Sequence, residues 1–209
     1  MKKCFFISLF VLAPVTFFAA PSSSAAQQPK MDIKAFVGFS ATTFVSMLET
    51  GRERDTFAGW QIGFGPRIRR NKAFIEVLFS FNRWALSFSD PSFGTFTGHV
   101  NSFELPLNMG YIPYKNSYFK LFLYGGYVNH FNTKTVGTLV DLLGESIDVK
   151  LKPKDAGFVI YQALIRLGVN FDLAMFNLDF NYSISLNSAT KTSFRTGYHQ
   201  LQLNLAYLF

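Results

Sequence analysis

The stretch "FNLDFNYSISLN", residues 176–187, decides the fold class, because apolar and polar residues alternate along its whole length. One set of alternate positions is apolar and consists of Phe176, Leu178, Phe180, Tyr182, Ile184 and Leu186. The set between them carries only Asn, Asp and Ser. Successive side chains of a β-strand point to opposite faces, so this stretch predicts a strand with one apolar and one polar face.

The same alternation recurs along the chain and predicts eight strands. The other seven segments are residues 35–44, 57–68, 73–82, 102–111, 119–126, 159–171 and 199–209. The connections at residues 69–72, 114–117 and 172–175 are tight, whereas those near 45–56, 89–98, 132–156 and 188–197 are long. Tight turns at one end and long loops at the other are typical of a transmembrane barrel. We therefore predict an all-β fold, an eight-stranded antiparallel up-and-down transmembrane β-barrel. A further hairpin within residues 136–155 would give the alternative, ten strands.

Charge placement indicates which face is inside. A soluble lipocalin-like barrel also alternates, but with its apolar face inward. The central apolar positions carry no Asp, Glu, Lys or Arg, and a Lys or Arg facing lipid at mid-membrane would cost about 2–4 kcal/mol. The polar positions hold three charges of each sign: Arg67, Glu76, Glu104, Lys120, Arg166 and Asp179. We predict that the apolar rows face lipid and that these six charges form a salt-bridge network filling the lumen. Pro106 lies in the middle of the predicted strand 102–111, where it lacks the backbone N–H that a strand pairing needs. We therefore predict a local bulge at this position.

The N-terminus has the layout of a secretory signal peptide. Lys2 and Lys3 precede an apolar run that ends in small residues. We predict cleavage after Ala26, so that residues 1–26 are the signal peptide and residues 27–209 are an outer-membrane barrel domain. The alternative, a membrane-anchoring helix, is disfavoured because the apolar run is shorter than the roughly 20 residues that a span needs. Cleavage would remove Cys4, the only cysteine.

Sequence motifs give little support for catalysis. The chain has no P-loop, no HExxH and no set of cysteine ligands, so we predict no catalytic residue, cofactor or metal. His99, His130 and His199 all fall near predicted long-loop ends and could share the outer rim, where a His beside a Ser would suit a lipid-modifying enzyme. No Ser lies two residues from any of them, which favours interfacial polar residues instead.

Basic residues indicate which partners to expect. The formal net charge is +7, and the basic residues lie mostly in turns and loops, without a basic helix or a nucleic-acid-binding motif. We therefore predict contact with anionic lipid headgroups or a general contribution to solubility, and no nucleic acid. Lys150, Lys152 and Lys154 form a candidate loop contact for lipopolysaccharide or a protein, with a solvated loop as the alternative.

Four segments resemble the PorT-type outer-membrane β-barrel family of Bacteroidetes-like bacteria. They are "IEVLFSF" (75–81), "NSFELPLNMGY" (101–111), "LKPKDAGFVIYQALIRLGVNF" (151–171) and "HQLQLNLAYLF" (199–209). The Glu104-Leu105-Pro106 and Asp155-Ala156-Gly157 elements are the more specific parts. The terminal Leu205, Tyr207 and Phe209 also resemble the signal that the barrel-assembly machinery reads. The resemblance implies an eight-stranded barrel in the Gram-negative outer membrane, and PorT itself is associated with secretion and gliding.

The sequence therefore predicts a monomeric, non-enzymatic membrane scaffold. Its long loops, chiefly residues 132–156, are expected to contact envelope proteins or the cell surface. The alternatives are an accessory component of a secretion or gliding machinery, a lipid-modifying enzyme at the rim, and a small pore.

Overall fold

The computed structural model describes residues 28–48, 51–90, 94–141, 143–155, 158–190 and 196–209. The predicted signal peptide lies outside these residues. Ten strands form one sheet: β1 (Lys30–Leu48), β2 (Gly51–Arg70), β3 (Ala73–Val77), β4 (Phe79–Asp90), β5 (Gly94–Lys115), β6 (Phe119–Val140), β7 (Ser146–Leu151), β8 (Tyr161–Leu173), β9 (Phe176–Ser185) and β10 (Thr196–Leu208). None of the described residues forms a helix long and apolar enough to cross a membrane.

The strands close into a ring of eight, which confirms the predicted fold. β3 and β4 together occupy one position of the ring, between β2 and β5, and β6 pairs with β8. The ring closes where β1 pairs antiparallel with β10, and the backbone of Ile33 exchanges hydrogen bonds with that of Phe209. β7 pairs with the far part of β6 and extends the sheet beyond the ring. The hairpin within residues 136–155 therefore exists, but it does not make a ten-strand barrel.

Pro106 interrupts pairing without the predicted bulge. Leu78, between β3 and β4, donates its N–H to the Pro106 carbonyl at 3.0 Å. Proline has no N–H to return, so one ladder bond is missing there. The register does not change across the gap, since Glu76 faces Asn108 and Ser80 faces Glu104. The prediction of a bulge at Pro106 is wrong, and the strand crosses the gap in register.

The alternating rows lie on the faces that the charges predict. Phe64 is 59% exposed on the outer surface, whereas Arg67 is fully buried inside. β9 shows the same division, with Phe180 exposed and Asp179 buried. The outer surface is therefore a continuous apolar wall around a lumen lined largely by polar side chains.

Three of the four long connections are mostly strand rather than loop, which corrects the sequence prediction. β1 and β2 reach Leu48 and Gly51, β4 and β5 reach Asp90 and Gly94, and β6 continues to Val140. The fourth connection includes residues 191–195, which lie outside the described part. Alternation at these ends is weaker than in the wall, so sequence periodicity alone missed them.

The tight turns close the opposite end. Asn71 and Ala174 take positive φ values of 56° and 53°. Asn71 is a residue type that tolerates this conformation, whereas Ala174 is not. In the third turn, the Asn116 side-chain oxygen accepts the backbone N–H groups of Tyr118 and Phe119 at 2.9 and 2.6 Å.

Candidate functional site: the barrel lumen and wall

Arg67 is the centre of a charge cluster near the tight-turn end of the lumen. It comes from β2, and its Nε donates to Glu76 Oε2 of β3 at 2.8 Å. Its Nη1 reaches across the lumen to Asp172 Oδ1 of β8 at 2.9 Å. The guanidinium also lies 4.8 Å from the Phe122 ring centroid, a cation–π distance. All four side chains are buried, so the guanidinium neutralises carboxylates from two strands that are not neighbours.

Lys34 joins this cluster to a neighbouring carboxylate. Its Nζ lies 3.1 Å from Asp179 Oδ2 and 3.6 Å from Glu76 Oε2, and all three side chains are buried. The Tyr124 hydroxyl donates to the other Asp179 oxygen at 2.6 Å. Three carboxylates thus share two cations and several neutral donors, as buried charges require.

A second cluster lies further toward the long-hairpin end, around Glu104 of β5. Arg166 Nη2 of β8 donates to Glu104 Oε2 at 2.7 Å, and its Nε donates to Ser183 Oγ at 2.9 Å. His130 of β6 lies 3.1 Å from the other Glu104 oxygen through Nδ1, and its Nε2 lies 3.1 Å from Asn132 Oδ1. This cluster connects four strands across the lumen.

The structure places five of the six predicted lumen charges in these clusters: Arg67, Glu76, Glu104, Arg166 and Asp179. Lys120 is different, because it is partly exposed beside the tight turns and takes part in none of the ion pairs formed among the described residues. Lys34, Asp172 and His130 fill roles that the sequence analysis missed.

Strand parity could have found these three residues. Lys34 is two residues before the inward-facing Phe36, and Asp172 is six residues after the inward-facing Arg166, so both side chains point into the lumen. Each lies one step past the end that the sequence analysis gave its strand. His130 lies beyond Gly125-Gly126, where the predicted strand stopped but β6 continues.

Apolar layers close both ends of the lumen. The sequence analysis predicted only polar and charged side chains there and did not include these layers. At the tight-turn end the layer consists of Phe74, Ile112, Phe122 and Tyr124. At the long-hairpin end a larger cluster contains Phe44, Trp84, Leu86, Phe96, Val100, Val128, Phe158, Leu164, Ala189 and Tyr198. Trp84 is only 1% exposed in that cluster. In the described part of the chain, the lumen is therefore packed along its length.

The three histidines do not share a rim site. His130 is fully buried in the lumen beside Glu104. His99 lies on the outer side of β5, with Nδ1 3.0 Å from Arg83 Nη2. His199 lies on β10, with Nδ1 2.7 Å from the Tyr182 hydroxyl. β5 and β10 are on opposite sides of the ring, with three barrel positions between them in either direction.

The remaining predicted residues are all at the surface. Lys150 lies on β7 opposite Val136, whereas Lys152 and Lys154 follow the end of β7, so the three lysines do not form one row. Leu205, Tyr207 and Phe209 point outward, with Phe209 72% exposed. Among the described residues, no group of His, Cys, Asp and Glu side chains is arranged to hold a metal ion.

A closed antiparallel barrel with an apolar outer wall and a packed, charge-paired interior defines an integral β-barrel membrane protein. Residues 10–209 match the model of the outer membrane protein β-barrel domain family, and the chain belongs to this family. It is therefore an integral protein of the Gram-negative outer membrane. This confirms the broader part of the predicted resemblance.

Several solved structures are similar to the chain. Ail, the attachment invasion locus protein of Yersinia pestis, is 15% identical with a TM-score of 0.49, covering 86% of this chain and 99% of that one. Neisserial surface protein A is 12% identical with a TM-score of 0.46, over 88% and 100%. The outer membrane enzyme PagL is 11% identical with a TM-score of 0.44, over 84% and 98%. Among curated proteins, none matches the sequence.

Proposed function

We propose that the protein is a monomeric, non-enzymatic scaffold whose long hairpins contact a protein partner or the cell surface. The observation that carries this proposal is a sheet that continues beyond the barrel. β2 pairs with β4 only between Gly59 and Phe64, but β4 continues beside β5 to Asp90. β5 and β6 stay paired up to Thr95 and Val140, and β7 adds a further strand. We call the paired residues 85–90, 94–99, 135–140 and 146–151 the hairpin extension.

The packed lumen supports a role at the ends of the barrel rather than through it. In an eight-stranded barrel side chains fill the interior, and here the charges of the two clusters are paired with each other. We propose that the tight turns and the C-terminus face the periplasm. In this orientation the hairpin extension lies on the outside of the cell. Loops and hairpins on a rigid scaffold are where binding surfaces usually lie.

Shortening the hairpin extension tests this proposal. A variant that joins Val136 to Lys150 through an Asn-Gly turn removes residues 137–149 where the two strands face each other. We expect the barrel to keep its heat-modifiable mobility while surface attachment or partner capture is lost. A control keeps the hairpin and changes only Glu145 and Ser146 to Gly and Ala. If the shortened variant retains every surface and secretion phenotype, the proposal is wrong.

We propose further that the chain is a PorT-type member and serves a secretion or gliding machinery. The support is the Glu104-Leu105-Pro106 element, whose Glu104 anchors the second charge cluster and whose Pro106 causes the interruption at Leu78. Crosslinking in whole cells followed by purification is expected to recover other envelope proteins. Recovery of lipid and assembly machinery alone would contradict this assignment.

We infer that the protein works without catalysis or a cofactor. The separation of His99, His130 and His199 supports this inference, since they do not form the shared rim site that was the starting point for a lipid-modifying enzyme. Single substitutions of each to Ala are expected to leave the mass profile of lipid A unchanged. A profile that changes with one substitution would favour the lipid-modifying alternative.

We also propose that export removes residues 1–26 before the barrel-assembly machinery inserts the chain. The mature protein purified from outer membranes is then expected to begin at Gln27, as N-terminal sequencing would show. Substitution of Ala26 by Leu should delay processing, whereas the same change at Gln28, outside the predicted site, should not. An unprocessed chain in the outer membrane would contradict the proposal.

A further inference from the structure

Basic side chains form a patch on the outer side of the barrel, at the foot of the hairpin extension. Arg83 of β4 faces Asn101 of β5, which faces Lys134 of β6. In the next row out, His99 of β5 faces Val136 of β6, which faces Lys150 of β7. We call Arg83, His99, Lys134 and Lys150 the basic wall patch.

A bulge in β6 turns Lys134 outward. Ser102 faces Asn132, but its neighbour Asn101 faces Lys134, so Thr133 is the extra residue. Its hydroxyl donates to the Asn101 carbonyl at 3.0 Å, which holds the bulge in place. Without the extra residue Lys134 would share the inward parity of the buried Asn132. The bulge therefore re-aims a cation from the lumen to the wall.

Aromatic side chains underlie the patch on the same side of the sheet. Phe81, Phe103 and Phe131 are in register across β4, β5 and β6, one row nearer the tight turns than Arg83. The Phe81 and Phe103 rings are 5.4 Å apart. In membrane barrels, girdles of aromatic residues flank the apolar band at the level where acyl chains meet headgroups.

The distance along β5 from the tight-turn boundary of the membrane to the basic wall patch also places the patch at the opposite boundary. Tyr111 lies outward near the tight turns, and Asn101 lies further along β5. At about 3.4 Å per residue and a tilt of about 40°, that stretch of strand rises about 25 Å, which is the height of the apolar band of such barrels. The basic wall patch therefore begins where the apolar band ends.

The donors of the patch suit a phosphate group. Since a guanidinium can only donate, the 3.0 Å contact makes His99 Nδ1 the acceptor for Arg83, which leaves the His99 Nε2–H as a further donor. Arg83 and Lys134 are two strand spacings apart, about 10 Å, so their long side chains can meet at one anion. The nearest acidic residue on this side of the paired strands is Asp148, two residues before Lys150 on β7. It accepts a hydrogen bond from the Thr138 hydroxyl at 3.2 Å.

We propose that the basic wall patch binds the phosphate groups of lipopolysaccharide, with its acyl chains against the Phe81, Phe103 and Phe131 row. This inference rests on the proposed orientation, because lipopolysaccharide occupies the outer leaflet. It replaces the predicted loop contact of three lysines by one in which Lys150 acts with residues of β4, β5 and β6.

The test uses the full chain purified from membranes and placed in phosphatidylcholine nanodiscs that contain bisphosphorylated lipopolysaccharide. The patch variant carries Arg83→Gln, Lys134→Gln and Lys150→Gln, and native mass spectrometry counts the lipid retained per barrel. The matched control carries Lys30→Gln, Lys72→Gln and Lys115→Gln, three exposed cations near the tight turns. A basic residue near anionic lipid contributes substantially, so we expect retention to fall about tenfold or more in the patch variant and to stay unchanged in the control.

Two further lipids separate the sources of binding. The wild type should retain dephosphorylated lipopolysaccharide only weakly, to the same extent as the patch variant retains the phosphorylated form. Phosphatidylglycerol should not compete with phosphorylated lipopolysaccharide for the wild type. Equal retention by the wild type and the patch variant would overturn the proposal, as would an equal loss in patch and control variants. Efficient competition by phosphatidylglycerol would show a general anionic surface and would also overturn it.

The test separates this inference from the scaffold proposal. Folding of each variant is checked by heat-modifiable mobility. If the Arg83→Gln change prevents assembly, the double variant with Lys134→Gln and Lys150→Gln replaces the patch variant in the test. The shortened hairpin described above keeps all four patch residues, so a failed lipid test leaves the hairpin function open, and the reverse also holds.

Discussion

Replacement of Arg67 by Met would remove the cation that joins β2, β3 and β8 inside the lumen. Met has a similar length without the charge, so the loss would come from the ion pairs rather than from an empty volume. Glu76 and Asp172, now 2.8 and 2.9 Å from the guanidinium, would lose their strongest donor. The nearest remaining cation is Lys34, 3.6 Å from Glu76. Removing one member of a buried ion pair costs about 3–5 kcal/mol, and we expect a loss of that size.

Urea unfolding of the full chain in phospholipid vesicles would measure this loss, with heat-modifiable mobility as the readout of the folded barrel. Lys115→Met is the matched control, because Lys115 is exposed beside the tight turns, and it should change the free energy of unfolding by less than about 0.5 kcal/mol. Adding Glu76→Gln and Asp172→Asn to Arg67→Met should restore most of the stability, since the unpaired charges disappear. A loss below about 1 kcal/mol for Arg67→Met would refute the assignment of Arg67 as the centre of the cluster.

Three further predictions concern packing, assembly and permeability. Gly168→Ala should destabilise the barrel by about 1–3 kcal/mol in the same urea assay, because a Cβ there would overlap the Tyr124 ring; in a Tyr124→Ala background, which is itself less stable, the same Gly168→Ala change should cost little. Phe209→Asp should lower the amount of chain in the outer-membrane fraction, measured by immunoblot, whereas Asp155→Asn should not. The wild-type barrel should show no stepwise conductance in planar bilayers, because Trp84 and its neighbours pack the lumen at the long-hairpin end; regular steps that survive in every preparation would contradict this.

Strand parity was enough to predict the barrel and the direction of most side chains. A one-residue shift would turn every Phe of β9 into the lumen and every Asn into lipid, so the face of each residue is strongly specified. The same rule predicts Arg67, Glu76, Glu104, Arg166 and Asp179 as inward charges, and the structure places them in the lumen. It could not predict which pairs form, because Arg67 and Asp172 come from strands far apart in sequence.

The strand ends were predicted poorly for a physical reason. Beyond the apolar band the outward face of a hairpin no longer meets lipid, so the apolar row on that face stops while the backbone pairing continues. The inward Leu86 and Phe96 stay buried. The early end predicted for β6 at Gly126 has another cause, because this glycine lies inside the barrel and closely approaches the Asn108 side chain rather than forming a turn. The bulge at Thr133 then changes the parity, which sequence alternation cannot signal in advance.

The placement of charges separates the parts of the barrel that hold it together from the parts that can bind. In the lumen each described carboxylate of the two clusters already contacts a cation, so these groups have little capacity left for a ligand. On the wall, by contrast, Lys134 and Lys150 are exposed beside Arg83, at a level where lipid phosphates are the available anions. Paired charges inside and a group of basic side chains at one level of the wall are what the surface recognition that we propose requires. The hairpin extension directly above that height would then meet its partner within a layer of bound lipid headgroups.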